Sequence, residues 1–294
     1  MIELFFKHPI GAIGYVFLIL ALLSIWIHRK IWVWASLLAV SLAFAYYGQV
    51  IELQALIPLL LVGGCYFFSS QDISGFWRLF ACMAAAIITI ALYTHFVKGF
   101  NNILLFPNWR SSASAITMNI YANYDGAIVA LLILGLYLPV IKSRKEVTTL
   151  LMATIPWMIL TGVIILFLSE YLQIIRWDPK LPFITLTWLT LQLFFVVIPE
   201  EVFYRGFIQR EIAKNLGNRL GGLLAVLTTS LLFSLIHIFF IPNLSYIIVV
   251  FVTSLLYGII YQLTGKIESA IITHFFTNTC HFFFFTYPML IQPT

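Results

Sequence analysis

Runs of about 20 apolar residues, broken only by short polar segments, recur along the whole chain and constrain its fold more than any other feature. Carried as α-helix, such a run rises ~1.5 Å per residue and matches the ~30 Å hydrocarbon core of a bilayer. The runs fall at 9–27, 31–48, 51–69, 76–97, 127–142, 148–172, 183–211, 219–240, 243–264 and 267–290. Composition excludes a soluble alternative: 62% of the 294 residues are hydrophobic and 9% are charged, against about 25% charged in a soluble domain. A water-soluble globule this apolar could not cover its own surface, whereas lipid tails solvate apolar side chains. The predicted fold class is all-α, a polytopic transmembrane helical bundle of about 8–10 spanning helices.

The charges are punctuation between these runs. Basic residues cluster at His28-Arg29-Lys30 and Lys142-Ser143-Arg144-Lys145. They do not form the continuous basic face that nucleic acid requires, so no nucleic-acid partner is expected despite a net charge of +5. With ten spans, most Lys and Arg residues fall in the loops after odd-numbered spans, which places those loops in the cytoplasm. The first run, from Ile10 to Ile27, exceeds the ~7–15 residues of a signal-peptide core and lacks a small-x-small site after it, so it is expected to be a retained span. Trp32, Trp34, Tyr46 and Tyr47 near span ends read as an aromatic belt. Asp72, Glu146, Asp178 and Glu268 read as solvated loop charges, and Cys65, Cys82 and Cys280 as small core residues with no disulfide or metal spacing. One longer connection, Lys98 to Asp125, has loop chemistry and is expected to hold a re-entrant or surface-lying piece.

Ionisable groups at membrane depth are costly, rare and usually functional. The last third of the chain holds an unusual set. Glu200, Glu201 and Arg205 lie in one apolar run, Phe233 and His237 in the next, and His274, Asn278 and His281 in the last. Glu201 and Arg205 are four apart and share a helical face, as do Phe233 and His237, and His274 and Asn278. With a turn near Gly217, Glu200 and His237 each lie ~25–30 Å along their helices from it, at one level on antiparallel neighbours. With a second turn near Gly265, His274 lies ~13 Å along its helix. The three levels coincide if the first hairpin protrudes ~13 Å further into the cytoplasm, which the charged run from Arg210 to Arg219 favours, so one intramembrane cluster of two glutamates, two histidines and an asparagine is geometrically reasonable.

Such a cluster suits peptide hydrolysis, which needs an activated water, a stabilised oxyanion and a protonated leaving amine. Glu200 is the expected general base, with His237 binding or polarising the same water. His274 and Asn278 would face the scissile carbonyl, and Arg205 would pair with Glu201 to fix the helix. His281 lies on the same stripe and is expected to support the site from behind.

Three blocks, EEVFYR, FSLIH and HFFTN, stand in this order on separate apolar helices. They resemble the E-E-x-x-x-R, F-x-x-x-H and H-x-x-x-N/D motifs of the CAAX-processing and bacteriocin-processing (CPBP, Abi) intramembrane endopeptidases, over residues 183–290. Upstream, His95 to Asn102 and Asn123-Tyr124-Asp125 look like the loop of a bacterial subgroup, with Gly126 in place of its Lys. The resemblance implies an intramembrane endopeptidase acting on a membrane-associated peptide or protein, either CAAX-type or bacteriocin-processing. It carries catalytic roles onto Glu200, His237, His274 and Asn278 and supporting roles onto Glu201, Arg205 and Phe233. The family has been viewed both as metalloproteases and as metal-independent glutamate proteases. No cofactor is expected here; zinc on Glu200, His237 and His274 is the alternative, although H-E-x-x-H is absent.

Two other classes fit an intramembrane Glu/His cluster: a transporter with a proton or ion relay, and a non-catalytic immunity or scaffold protein. The absence of an inverted repeat argues against the first, and the intact motif set against the second. The expected organisation is N-terminal membrane helices over 1–97, a loop with linking helices over 98–182, and a catalytic membrane core over 183–290. The compact loops point to a bacterial inner membrane.

Overall fold

The computed structural model describes residues 2–28, 30–71, 73 and 75–291. Arg29 and Asp72, named above for their charge, lie outside the described residues. The chain is helical: α1 (Ile2–Lys7), α2 (Pro9–Ile27), α3 (Ile31–Tyr47), α4 (Leu56–Ser70), α5 (Gly75–Tyr93), α6 (Tyr124–Leu136) and α7 (Arg144–Tyr171). They are followed by α8 (Thr185–Leu216), α9 (Arg219–Ile236), α10 (Leu244–Thr264) and α11 (Ile267–Phe284). Among the described residues, seven helices are long and apolar enough to cross a membrane, while α3 and α6 are shorter apolar helices. The last helix, α11, is not among the seven: Glu268, His274, Asn278 and His281 dilute its apolar content. The protein is an integral multi-pass membrane protein. Its outward positions agree, because Leu60, Ile87, Val163, Phe167 and Leu231 are exposed apolar side chains that only lipid can solvate.

Local signals set the helix ends. Ser143 accepts the amide of Glu146 at 3.2 Å, and the Glu146 carboxylate accepts the amide of Lys142 at 2.8 Å, a reciprocal cap on α7. Asn218 and Asn243 cap α9 and α10 through the amides of Gly221 and Tyr246. Gly217 and Gly265 end the preceding helices with φ of 66° and 63°, where a Cβ would be strained. Both turns stand where the sequence placed them.

Two compact units emerge, interleaved along the chain. The first comprises residues through Leu105, Tyr121–Val140 and Leu186–Phe203. Its centre is α6, where every residue from Tyr124 to Leu134 is buried, as expected of a helix apolar all round. Tyr15 of α2 packs edge-on against Tyr124 and Phe195, and its hydroxyl donates to the carbonyl of Ala122 at 2.7 Å. Small residues let α2 and α3 approach closely: Ser41 donates to the Gly14 carbonyl at 2.6 Å. Trp34 is a correction to the aromatic belt. It is 4% exposed and its indole covers Gly135, which has no side chain to keep it out.

The second unit comprises Phe106–Ile120, Ile141–Thr185 and Tyr204–Thr294. Trp157 of α7 donates to the carbonyl of Leu256 at 3.0 Å, and Phe276 of α11 fills the space over Gly162. Glu268 is a second correction. It is 8% exposed, not a solvated loop charge, because its carboxylate accepts the amide of Ile141 at 2.9 Å. Cys65, Cys82 and Cys280 are half-buried, and no disulfide forms among the described residues.

The connection from Lys98 to Asp125 is not all irregular loop. It holds a two-stranded hairpin, β1 (Ile103–Trp109) with β2 (Met118–Ala122).

Candidate active site

The glutamate pair sits where α8 changes its winding. Within α8, residues Gln192–Val197 and Val202–Gln209 are wound as π-helix, and only Ile198–Glu201 between them has ordinary α-winding. Pro199 explains why this stretch cannot be a plain α-helix. Its nitrogen carries no proton, and its ring clashes with the carbonyl one turn earlier. The wider π-winding makes room for that ring, and π-bulges of this kind concentrate at functional sites. In the first unit, Glu201 is fully buried and Glu200 is half-buried. The Pro199 carbonyl, immediately before them, accepts the hydroxyl of Tyr93 at 2.9 Å.

In the second unit, Arg205 is fully buried and its guanidinium donates to the carbonyl and hydroxyl of Ser254 at 3.0 and 2.7 Å. The same guanidinium carbon lies 4.8 Å from the Phe233 ring centroid and 5.7 Å from that of Tyr257. Each ring then leads to a histidine. Phe233 is 4.5 Å from the His237 imidazole, and Tyr257 is 4.7 Å from the His274 imidazole with 25° between planes. His237, Phe233, Arg205, Tyr257 and His274 thus form one run of ring and cation contacts joining α8, α9, α10 and α11. His237 sits at the end of α9, where Phe233 O lies 2.7 Å from its Nδ1, and Phe240 and Tyr246 border the ring. With Nδ1 donating to that carbonyl, Nε2 is left as an acceptor.

His274 is 5% exposed and Asn278, one turn later, is half-buried. His281 turns to the end of its own helix: its Nε2 lies 3.0 Å from the Thr286 carbonyl, and its ring meets Tyr287 at 5.0 Å. Below Arg205 on α8, Gln209 donates to the Gly258 carbonyl at 2.9 Å and so continues the same seam against α10.

Ser254 and Tyr257 belong to this run of contacts but to none of the three sequence blocks. They stand three apart on α10, with Gly258 and Tyr261 next along the buried stripe. That small and aromatic stripe was the available signal, hidden because each member is ordinary in a membrane helix. The upstream residues His95, Asn102 and Asp125 converge in the first unit. His95 Nδ1 lies 2.8 Å from the Asp125 carboxylate, Asn102 donates to that carboxylate at 3.2 Å, and Asn102 accepts the amide of Tyr124 at 2.8 Å. The carboxylate partner and its hydrogen bond hold the His95 imidazole above its ordinary pKa, against a smaller opposing effect of burial.

A zinc site would need three converging His, Cys, Asp or Glu side chains and an open position. Among the described residues no such group is formed.

Residues 182–280 match the family model described as Rce1-like, type II CAAX prenyl endopeptidase Rce1-like. No curated protein and no solved structure matches the chain. The matched span begins three residues before α8, ends at Cys280 and contains all three motif blocks. Over residues 182–280 the chain is similar to the Rce1-like type II CAAX prenyl endopeptidase family.

Proposed function

We propose that this protein is an intramembrane endopeptidase that hydrolyses a peptide bond of a membrane-associated protein or peptide with a water activated by glutamate and histidine. The family supports a CAAX-type peptidase in general terms. The finer assignment rests on one observation, the run of contacts from His237 through Phe233, Arg205 and Tyr257 to His274. Within the second unit it brings His237 and His274, on different helices, to Arg205 of the E-E-x-x-x-R block.

In this reading the Glu200 carboxylate takes a proton from water while His237 Nε2 accepts a hydrogen bond from the same water. The water oxygen bonds to the scissile carbonyl carbon. Hydrogen bonds from His274 and Asn278 hold the developing oxyanion. The intermediate then collapses: the carbon–nitrogen bond breaks, and the proton held on Glu200 passes to the leaving amine. Glu201, Arg205 and Phe233 hold the helix in register, and His281 braces the end of α11. No step needs a resident metal. The substrate is a membrane-tethered peptide of CAAX or bacteriocin-precursor type, and compact loops support a bacterial inner-membrane setting.

The test is cleavage of a library of membrane-tethered peptides, prenylated and unprenylated, by purified protein in proteoliposomes. Wild type is expected to cleave, whereas Glu200→Ala and His237→Ala lose at least ~100-fold in rate, the usual contribution of a general base. Undiminished cleavage by either variant contradicts the assignment. Solute-driven proton flux without cleavage would favour a transporter.

A further inference from the structure

Tyr93 ends α5, in the N-terminal part of the chain to which the sequence assigns no role. Besides donating to the Pro199 carbonyl at 2.9 Å, it meets Phe203 edge-on at 5.5 Å. A Cβ on Gly126 would lie 3.5 Å from the Tyr93 ring and 3.7 Å from Pro199 Cβ, so the first turn of α6 backs the same contact. All of these residues belong to the first unit.

The location of the hydrogen bond gives it a consequence. Pro199 is the second residue of the single turn of α-winding between two π-wound stretches, and the amide of Val202 is shared between the Ile198 and Pro199 carbonyls. A backbone carbonyl has two lone pairs, so the Pro199 oxygen can accept the Tyr93 hydroxyl beside an intrahelical amide. The carbonyl of residue 199 and the amide of residue 200 share one planar peptide unit. Holding that carbonyl therefore fixes the plane from which Glu200 departs. The platform beneath Tyr93 is itself fastened, because His95, Asn102 and Asp125 join the end of α5 to the start of α6.

We infer that Tyr93 is a positioning residue for Glu200: its hydroxyl, through the Pro199 carbonyl, sets the winding and orientation of the glutamate turn. This rests on the peptidase reading above and gives residues 1–97 a function, as the frame that aims the catalytic helix.

Tyr93→Phe removes the hydroxyl and keeps the ring. Tyr15→Phe is the control, since it removes a comparable hydroxyl-to-carbonyl hydrogen bond, to Ala122, elsewhere in the same unit. Two readouts are taken on the full chain in proteoliposomes: hydrogen exchange of the peptide covering 198–209, and kcat and KM on a vesicle-bound peptide that wild type cleaves. For Tyr93→Phe, exchange is expected to rise about 5–10-fold and kcat to fall by a similar factor with KM unchanged, the size of one neutral hydrogen bond. Tyr15→Phe should alter neither. Unchanged exchange and kcat in Tyr93→Phe, or an equal loss in Tyr15→Phe, overturns the inference. Wild-type cleavage by Glu200→Ala overturns the peptidase reading and Tyr93's part in it. Lost cleavage in Glu200→Ala, with Tyr93→Phe behaving as wild type, overturns the inference alone.

Discussion

The guanidinium carbon of Arg205 lies 4.8 Å from the centre of the Phe233 ring, the ring that also faces His237 at 4.5 Å. One aromatic side chain therefore serves a buried cation on one face and borders a histidine. Phe233→Leu preserves hydrophobic volume and removes the π face. Desolvated cation–π contacts are worth up to about 2 kcal/mol, so cleavage should fall about tenfold or more while the protein still inserts and purifies. Steady-state rates on a tethered peptide check this, and an unchanged rate would show that the ring is only filler.

Arg205 makes two hydrogen bonds to Ser254, to its carbonyl and to its hydroxyl. Both leave one guanidinium nitrogen, which a lysine's shorter side chain and compact ammonium do not place at the same point. Arg205→Lys should lower the thermal midpoint in detergent by an amount equivalent to about 2 kcal/mol, the range for hydrogen bonds to a charged group. Ser254→Ala should cost less, because the carbonyl partner remains. Thermal unfolding of the two variants side by side settles the order.

Tyr257 stacks on His274 and borders Arg205. Removing its ring in Tyr257→Leu frees the imidazole to change rotamer. A loss of about tenfold in kcat is expected, with little change in KM, since the proposed role of His274 is in the transition state. A rise in KM alone would place Tyr257 in substrate binding.

His95 provides the pH dependence. Its pKa is raised, first by the hydrogen bond to Asp125 and then opposed by burial. A raised folded-state value means the pair's contribution is fully present below the unfolded value of about 6.5 and is lost as pH rises through the higher folded value. Wild type should therefore exceed His95→Gln in thermal midpoint at pH 5.5, with the gap narrowing by pH 9. The His95 side chain is 43% exposed, so solvent screening keeps the gap small.

Much of this architecture is legible in the sequence, for a physical reason. Lipid forces backbone hydrogen bonds to close within each apolar run, so hydropathy alone yields all ten helical segments from Pro9 to Phe284, and Gly217 and Gly265 mark their turns. The motif blocks likewise locate the Rce1-like segment. What stayed hidden depends on winding or on distant partners. The π-wound stretches around Pro199 have the same composition as α-helix. The β1–β2 hairpin is short and contains Pro107, which breaks a strand signal. Tyr93, Ser254 and Tyr257 look like routine membrane-helix residues until their partners Pro199, Arg205 and His274 are brought to them by the fold. Glu268 reads as a loop charge because its partner, the amide of Ile141, is 127 positions away.

The central claim is that Glu200 activates the hydrolytic water. It is tested most directly by incubating wild type and Glu200→Ala proteoliposomes with a cleaved tethered peptide in ¹⁸O-water, with a strong chelator present throughout, and weighing the products. The account predicts one ¹⁸O in the new carboxylate for wild type and no product for Glu200→Ala. Product from Glu200→Ala at the wild-type rate, or wild-type cleavage abolished by chelator and restored by zinc, would contradict it.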